Sequence, residues 1–229
     1  MNRQEIRALL LDFDGVLADT EPVHLRFFAE LLGPEGISLS REAYFAKYLG
    51  LDDRSCFRKV FADAGRELDP ALEESLVRRK NQQILEYLNG KSVLLPGVAD
   101  FLRNLQGRYY LAIVSGALRS EIEAVLRSEG LAKLFHLIVG ADQVARGKPD
   151  PEGFITAMKL LNRDHVPESE ILLPVECLAV EDSPWGIEAA KKAGVRVAAV
   201  TTSYPKEKLS LADEIIGSLA EVISLLDNL

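Results

Sequence analysis

Short apolar runs separated by helical patterns are the feature that most constrains the fold of this chain. The runs cover residues 8–13, 110–114, 136–139, 177–180 and 195–200, and helical patterns lie between them at 98–105, 120–129, 151–161 and 184–193. Apolar runs without alternation are typical of strands buried on both faces of a parallel sheet. Strand alternating with helix predicts an α/β fold, a Rossmann-like doubly wound parallel sheet.

One long stretch departs from this pattern. Between residues 21 and 89 no strand-like run occurs, and helical periodicity continues. Its best helix is predicted over 70–88. The apolar stripe of this helix is predicted to contain Leu72, Leu76, Ile84, Leu85 and Leu88. Its polar side is predicted to contain Glu73, Arg78, Arg79 and Lys80. We therefore predict an all-helical cap domain of residues 20–92 inserted into an α/β core domain of residues 1–19 and 93–229.

Composition and charge exclude several classes of protein. An apolar content of 48% with 27% charged residues indicates a globular chain and not a disordered one. Lys and Arg number 27 against 35 Asp and Glu, and the net charge of −8 argues against nucleic-acid or membrane partners, which attract clustered positive charge.

The cellular compartment is predicted from the cysteines and from the apolar segments. Cys56 and Cys177 lack the spacing of a metal knuckle or a disulfide framework. The opening apolar run is too short for a signal peptide, and no stretch is long enough to span a membrane. A cytoplasmic location is therefore expected.

Acidic residues follow two of the predicted strands. Asp12 and Asp14, two residues apart in an extended segment, point to the same side, and Gly15 permits a tight turn after them. Glu181 and Asp182 follow another buried run, and an acid next to an apolar strand is costly to bury without a cation. For Asp-x-Asp alone, an acidic strand end beside a helix cap would be the commoner interpretation; Asp182 or Ser183 can likewise cap the helix that Pro184 begins.

Two further residues end predicted strands or follow them. Ser115 closes the run 110–114, and Lys148 lies in a Gly-Lys-Pro-Asp segment. Alone, a serine in a turn and a solvated lysine would not indicate a functional site. With the carboxylates they offer ligands for a hard cation, a hydroxyl for phosphate oxygens and a fixed positive charge. His136 and His165 have no partner at ligand spacing and are predicted to be packing or surface residues.

Four segments in this order resemble the motifs of the haloacid dehalogenase superfamily. They are Asp12-Phe13-Asp14-Gly15-Val16-Leu17, Ser115-Gly116, Lys148-Pro149 and Glu181-Asp182. The helical insertion after the first motif is similar to the subgroup with an α-helical cap, which includes β-phosphoglucomutase and phosphoglycolate phosphatase. The resemblance implies that Asp12 is the nucleophile and Asp14 the acid/base.

The same resemblance implies the remaining roles at the site. Mg²⁺ would be held by Asp12, the backbone carbonyl of Asp14 and Asp182, with Glu181 binding it directly or through water. Phosphate would be bound by Ser115, Gly116 and Lys148. The implied activity is that of a Mg²⁺-dependent phosphatase that hydrolyses a small phosphorylated metabolite, such as a sugar phosphate, through an aspartyl-phosphate.

Features of the cap leave a hexose-phosphate mutase open as an alternative. Thr20, His24 and the run Arg79-Lys80-Asn81 resemble β-phosphoglucomutase. Two features depart from it: Asp53 stands where the mutase has an arginine, with Arg54 next, and Ala117-Leu118 lacks the mutase's lysine. Arg54 and Lys80 are thus candidate substrate contacts that could equally be solvated surface.

Some properties stay open at this point. A non-catalytic binding protein on the same fold is a third, weaker possibility, because such a protein has no chemical need for the full set of acids and Lys148. The sequence does not identify the phosphate ester or the oligomeric state, a monomer being one option. Residues 162–176 form a long connection without a chemical interpretation.

Overall fold

The structure, a computed structural model, describes residues 5–228 and divides into two compact units. One unit comprises the described residues up to Asp19 together with those from Ser92 onward, and the other is Thr20–Lys91. The sequence placed the second boundary one residue later, after residue 92. We call the first unit the core and the second the cap.

The cap is built of α-helices. They are α1 (Glu21–Leu32), α2 (Arg41–Lys47), α3 (Asp53–Asp63) and α4 (Pro70–Leu88). The side chains of Ser40, Asp52 and Asp69 accept hydrogen bonds from backbone amides in the first turns of α2, α3 and α4, which fixes where these helices begin. An apolar cluster that includes Phe28, Phe57 and Leu76 fills the interior of the cap.

The polar side predicted for α4 is wrong at two positions. Glu73 and Lys80 are buried, at 5% and 0% exposure, and belong to the inner face of the helix together with Leu76 and Ile84. Since residues four apart lie on one face of a helix, Lys80 continues the row of Leu76 and Ile84. Hydrophobicity alone could not identify two charged residues whose partners lie on other helices.

The core contains a six-stranded sheet in which every pair is parallel. Its strands are β1 (Ala8–Leu11), β2 (Tyr110–Val114), β3 (Leu137–Val139), β4 (Cys177–Glu181), β5 (Arg196–Val200) and β6 (Glu214–Ile216), in the order β3-β2-β1-β4-β5-β6. The predicted α/β fold is confirmed. The short β6 was not predicted, because only its last residue is buried.

Helices surround this sheet. They are α5 (Val98–Leu105), α6 (Arg119–Ser128), α7 (Glu152–Asp164), α8 (Pro184–Lys192) and α9 (Leu219–Asp227). All four residues of β1 are buried, as expected for a central strand covered on both faces. No helix within residues 5–228 combines the length and apolar character needed to cross a bilayer.

Strand order determines where ligands can bind. From β1 the chain builds the sheet outward through β2 and β3 on one side and through β4 and β5 on the other. Open α/β sheets bind ligands beyond the carboxyl ends of the strands at such a reversal. Leu11 pairs with Val180, so Asp12 and Glu181 come next to each other at that edge.

The connection 162–176 lies on the surface and is tied to the core by apolar and polar contacts. The Asn162 side chain donates to the Leu172 carbonyl at 3.0 Å and accepts from the Leu172 amide at 2.8 Å. Leu172 is buried, whereas Ile171 and Leu173 are exposed. Val166 is buried as well, so the segment packs on the core through these two apolar side chains.

Truncation of a buried leucine of α7 and of an exposed leucine in the connection 162–176 should have very different effects on stability. Leu161→Ala removes a fully buried side chain of α7, and we expect it to cost about 2–5 kcal/mol of unfolding free energy. The matched change Leu173→Ala, at 46% exposure, should cost less than about 0.5 kcal/mol. Denaturant unfolding followed by circular dichroism measures both, and equal losses would contradict this description of the core.

Candidate active site

Candidate site residues lie at the carboxyl ends of four strands or in the segments that follow them. Asp12 directly follows β1, Ser115 directly follows β2, and Lys148 lies in the loop that leads from β3 to α7. Glu181 ends β4, and Asp182 comes next. The structure thus brings together Asp12, Lys148, Glu181 and Asp182, which the sequence placed in one site.

Lys148 bridges two of the carboxylates. Its Nζ lies 2.8 Å from Asp12 Oδ1 and 2.6 Å from Glu181 Oε1. Burial disfavours the ammonium, but the charges of the two acids outweigh burial and raise the pKa of Lys148 above its usual value. The lysine is therefore a permanent cation beside the proposed nucleophile.

Three buried acids form a group that could hold a metal ion. Asp12, Glu181 and Asp182 are each less than 10% exposed, and each offers a carboxylate oxygen within 4.8 Å of the others. Lys148 pairs with two of them, and this single positive charge is two short of the charge of three ionised carboxylates. Oxygen ligands and excess negative charge fit a hard divalent cation such as Mg²⁺.

Glu181 and Asp182, at the end of β4, hold their protons more tightly than usual. Burial, followed by the charge of Asp12, raises the pKa of Glu181 to about 7, although Lys148 opposes the rise. Burial and the charges of Asp12 and Glu181 raise the pKa of Asp182 to about 8. A bound cation would offset this repulsion and favour the ionised carboxylates.

Two glycines leave room for these carboxylates. Gly15 has a φ of +76°, and a Cβ placed there would lie 1.8 Å from Asp182 Oδ2. A Cβ at Gly186, in the first turn of α8, would lie 2.0 Å from Glu181 Oε2. Side chains larger than hydrogen are therefore incompatible with the present position of either acid.

Ser183, and not Asp182, caps α8. Its hydroxyl accepts a hydrogen bond from the Gly186 amide at 3.1 Å and donates one to Glu181 Oε2 at 3.2 Å. The cap thereby connects the start of the helix to the acid that pairs with Lys148. Asp182 is left available to a cation.

The second predicted motif presents a serine and backbone amides. Ser115 is buried, and its hydroxyl accepts from the Ala117 amide at 3.1 Å. Gly116 between them is exposed, with space around its α-carbon. Its amide and the serine hydroxyl belong to the same strand end as the proposed phosphate site. Their contact with phosphate stays a prediction.

In the cap, the structure brings His24 and Lys80 together. The Lys80 ammonium donates to His24 Nδ1 at 2.8 Å and also to the Asp53 carboxylate, and it lies 4.4 Å from the centre of the Phe28 ring. Burial and the nearby Lys80 charge lower the pKa of His24 well below its usual value. His24 is consequently neutral, with its proton on Nε2.

The remaining cap candidates are Arg54 and Thr20. Arg54 is 3.0 Å from Glu73, whose carboxylate also accepts two hydrogen bonds from Arg58. Thr20 is buried at the start of α1, where its carbonyl accepts from the His24 amide. Arg54 is therefore engaged in an ion pair within the cap.

Ser203 is a site residue that the sequence did not reveal. It lies in the loop after β5 and hydrogen-bonds to the Asp182 carboxylate. The sequence offered one usable signal, since the hydroxyl run 201–203 follows a buried strand and must reach the same edge of the sheet. Neither an acid nor a motif marked it.

The two histidines of the core pack against each other. Their ring centres are 5.2 Å apart, and His136 Nδ1 accepts a hydrogen bond from the Leu111 amide. Both are exposed. His136 directly precedes β3, which begins at Leu137, so the pair lies beside the amino ends of the strands. This agrees with the predicted packing or surface role.

Comparison with known proteins gives consistent results. The profile of the haloacid dehalogenase-like hydrolases matches residues 6–194. The validoxylamine A 7'-phosphate phosphatase of Streptomyces hygroscopicus is 29% identical, covering 94% of this chain and 95% of that protein. The β-phosphoglucomutase of Bacillus subtilis is 27% identical, covering 87% and 85% respectively.

A solved structure is similar over nearly its whole length. It is the CbbY protein of Rhodobacter sphaeroides in complex with phosphate. The TM-score is 0.83 at 27% identity, with 97% of this chain and 99% of that chain covered.

The raised pKa values predict that metal binding depends on pH. Because protons compete for Glu181 and Asp182 below about pH 7 and pH 8, Mg²⁺ should bind more tightly as the pH rises from about 6 to 8, by up to about tenfold per pH unit for each proton that binding displaces. Calorimetric titration at several pH values measures this. A dissociation constant that does not change over this range would contradict the raised pKa values.

Proposed function

This chain belongs to the haloacid dehalogenase-like hydrolase family, and on that premise we propose that it is a Mg²⁺-dependent phosphatase of a small phosphorylated metabolite. A phosphate monoester of a sugar or a similar polyol is the substrate class that we favour. The validoxylamine A 7'-phosphate phosphatase, whose name gives a phosphate ester as substrate, supports a phosphatase activity.

The observation that carries the proposal is the arrangement around Asp12. Its carboxylate is buried, ion-paired to Lys148 at 2.8 Å, and lies in one group with Asp182 and Glu181. A carboxylate at the end of a central strand is held rigidly by the sheet. Such a group can act as a nucleophile if the charge of the incoming phosphate is offset.

In the first step, a carboxylate oxygen of Asp12 forms a bond to phosphorus while the bond to the ester oxygen breaks. Asp14 gives the leaving oxygen its proton, so that an alcohol departs and an aspartyl-phosphate remains. Lys148 reduces the repulsion between the carboxylate and the phosphoryl oxygens, and Ser115 with its following amides binds those oxygens.

In the second step, Asp14 takes a proton from water, and the water oxygen attacks the phosphorus of the aspartyl-phosphate. The bond to Asp12 breaks, inorganic phosphate leaves, and both acids return to their starting states. Dividing a slow ester hydrolysis into two displacements lowers the barrier of each.

The acids Asp12 and Asp182, with the backbone carbonyl of Asp14, would hold Mg²⁺, and Glu181 would bind it directly or through water. When bound, the ion supplies positive charge that neutralises the phosphoryl oxygens and orients them for in-line attack. The protein's own contribution is to keep the carboxylates buried and close together, which Gly15 and Gly186 permit.

Hydrolysis is favoured over the mutase reaction by the pairing of the cap cations. A mutase must also bind the second phosphate of a bisphosphate intermediate. Lys80 is fully buried and paired with Asp53, while Arg54 is paired with Glu73. Both cations proposed for substrate contact are thus held by carboxylates of the cap, with Arg54 sharing Glu73 with Arg58, which supports a substrate with a single phosphate.

A non-catalytic binding protein is the least supported alternative. Burying three carboxylates at one strand edge destabilises the core unless a cation or a reaction requires them. A binding protein on this fold has no such requirement for Asp12, Asp182 and Lys148 together.

Replacement of each proposed catalytic acid should separate the two steps. Asp12→Asn should abolish release of phosphate from an aryl phosphate, since no nucleophile remains. Asp14→Asn should lower kcat by about 10²–10⁴-fold, because removing a general acid/base typically costs that much. Phosphate release and acid-quenched incorporation of radioactive phosphate into the protein are the measurements.

The labelling pattern distinguishes the roles. Radioactive phosphate should be trapped on the Asp14→Asn protein and not on the Asp12→Asn protein. Wild-type turnover by Asp12→Asn, or full activity after chelation of the metal, would rule out the proposed mechanism.

A single substrate discriminates the two enzyme classes. The protein is given a panel of sugar phosphates that includes β-glucose 1-phosphate with a trace of the corresponding bisphosphate. We expect it to release inorganic phosphate from a member of this panel. Accumulation of glucose 6-phosphate, measured by a coupled dehydrogenase assay, would instead establish a mutase.

A further inference from the structure

The loop that follows β5 also reaches the acid group. Thr201 is still hydrogen-bonded to β6 through its amide and the Ile216 carbonyl at 3.2 Å. Three residues later the Tyr204 ring packs edge-to-face on Trp185, with centres 5.3 Å apart. Ser203, between these two anchors, is therefore held in place although it is exposed.

The hydroxyl of Ser203 and a carboxylate oxygen of Asp182 approach the same point in space. A Cβ built on Gly15 would be 2.6 Å from Ser203 Oγ and 1.8 Å from Asp182 Oδ2. The hydrogen bond between the two side chains accounts for this proximity. Gly15 thus leaves room for a serine-to-carboxylate contact as well as for the acid itself.

We propose that Ser203 is a positioning residue for the metal site, its hydroxyl orienting the Asp182 carboxylate toward the bound cation. This inference rests on the proposed function, because it assigns Asp182 to the metal. Groups that hydrogen-bond to a ligating carboxylate fix its orientation and stabilise its charged form. Lys148 and Ser183 contact the carboxylate of Glu181, whereas Ser203 hydrogen-bonds to the carboxylate of Asp182.

Asp182 has a particular need for such a partner. Asp12 and Glu181 are both close to Lys148, whereas no ion pair within residues 5–228 includes Asp182. Asp182 is 4% exposed, and its carboxylate lies within 4.8 Å of those of Asp12 and Glu181. A neutral hydroxyl can steady this carboxylate without competing, as a second lysine would, with the positive charge of the metal ion.

Calorimetric titration of the full chain with Mg²⁺ tests the proposal. Ser203→Ala should weaken binding by about tenfold, the lower end of the loss usual when a hydrogen-bond partner of a ligand is removed. Ser203→Thr, which keeps the hydroxyl, should restore affinity to within about twofold. Thr202→Ala, which removes a hydroxyl from the adjacent exposed residue, is the matched control and should leave affinity unchanged.

Kinetics provide a readout that a purely structural role would not change in the same way. For Ser203→Ala the Mg²⁺ concentration giving half-maximal activity should rise by the factor seen in binding, while kcat at saturating Mg²⁺ returns close to the unaltered value. Thermal unfolding without metal should be the same in all four proteins, since Ser203 is exposed.

Failure of this inference is distinct from failure of the proposed function. If the unaltered protein binds Mg²⁺ and Ser203→Ala binds it equally well, Ser203 has no positioning role and the phosphatase proposal stands. If the unaltered protein does not bind Mg²⁺, the proposed metal dependence is wrong, and the role of Ser203 falls with it.

Discussion

The ion pairs of Lys148 with Asp12 and Glu181 are the interaction on which the candidate active site depends. Carboxylates that leave water lose hydration energy, and removing one partner of a buried pair typically costs about 3–5 kcal/mol. Here the sheet places the acids at the ends of β1 and β4 side by side, and a lysine from the loop after β3 pairs with two of them. One lysine against three acids leaves an excess of negative charge, which creates the demand for a metal ion.

Close packing around the acids imposes a second constraint. The backbone approaches the carboxylates at Gly15 and Gly186, where any Cβ would overlap them. Ser183 meanwhile caps α8 and contacts Glu181, so the start of a helix and the orientation of an acid share one hydroxyl. The stability of the fold and the geometry of the site are therefore determined by the same few contacts.

The cap shows how a charged cluster can be structural in its own unit. Lys80 lies on the apolar face of α4, yet it is satisfied by Asp53 of α3 and His24 of α1 and packs over the Phe28 ring. Such a cluster fixes the relative positions of three helices, because each of its polar atoms needs the others. Because Lys80 is paired in this way, its positive charge is not available to bind a substrate phosphate.

The sequence by itself determined the parallel α/β core, the helical insertion and the placement of acids at the ends of β1 and β4. Strands buried on both faces must be apolar throughout, and chemistry at strand ends requires acids at defined positions, so both leave local patterns. Only the tertiary structure decided that Glu73 and Lys80 are buried, that Arg54 is engaged by Glu73, and that Ser203 reaches Asp182. These outcomes depend on partners far apart in the chain, and no local pattern of hydrophobicity or spacing records a partner that only folding brings near.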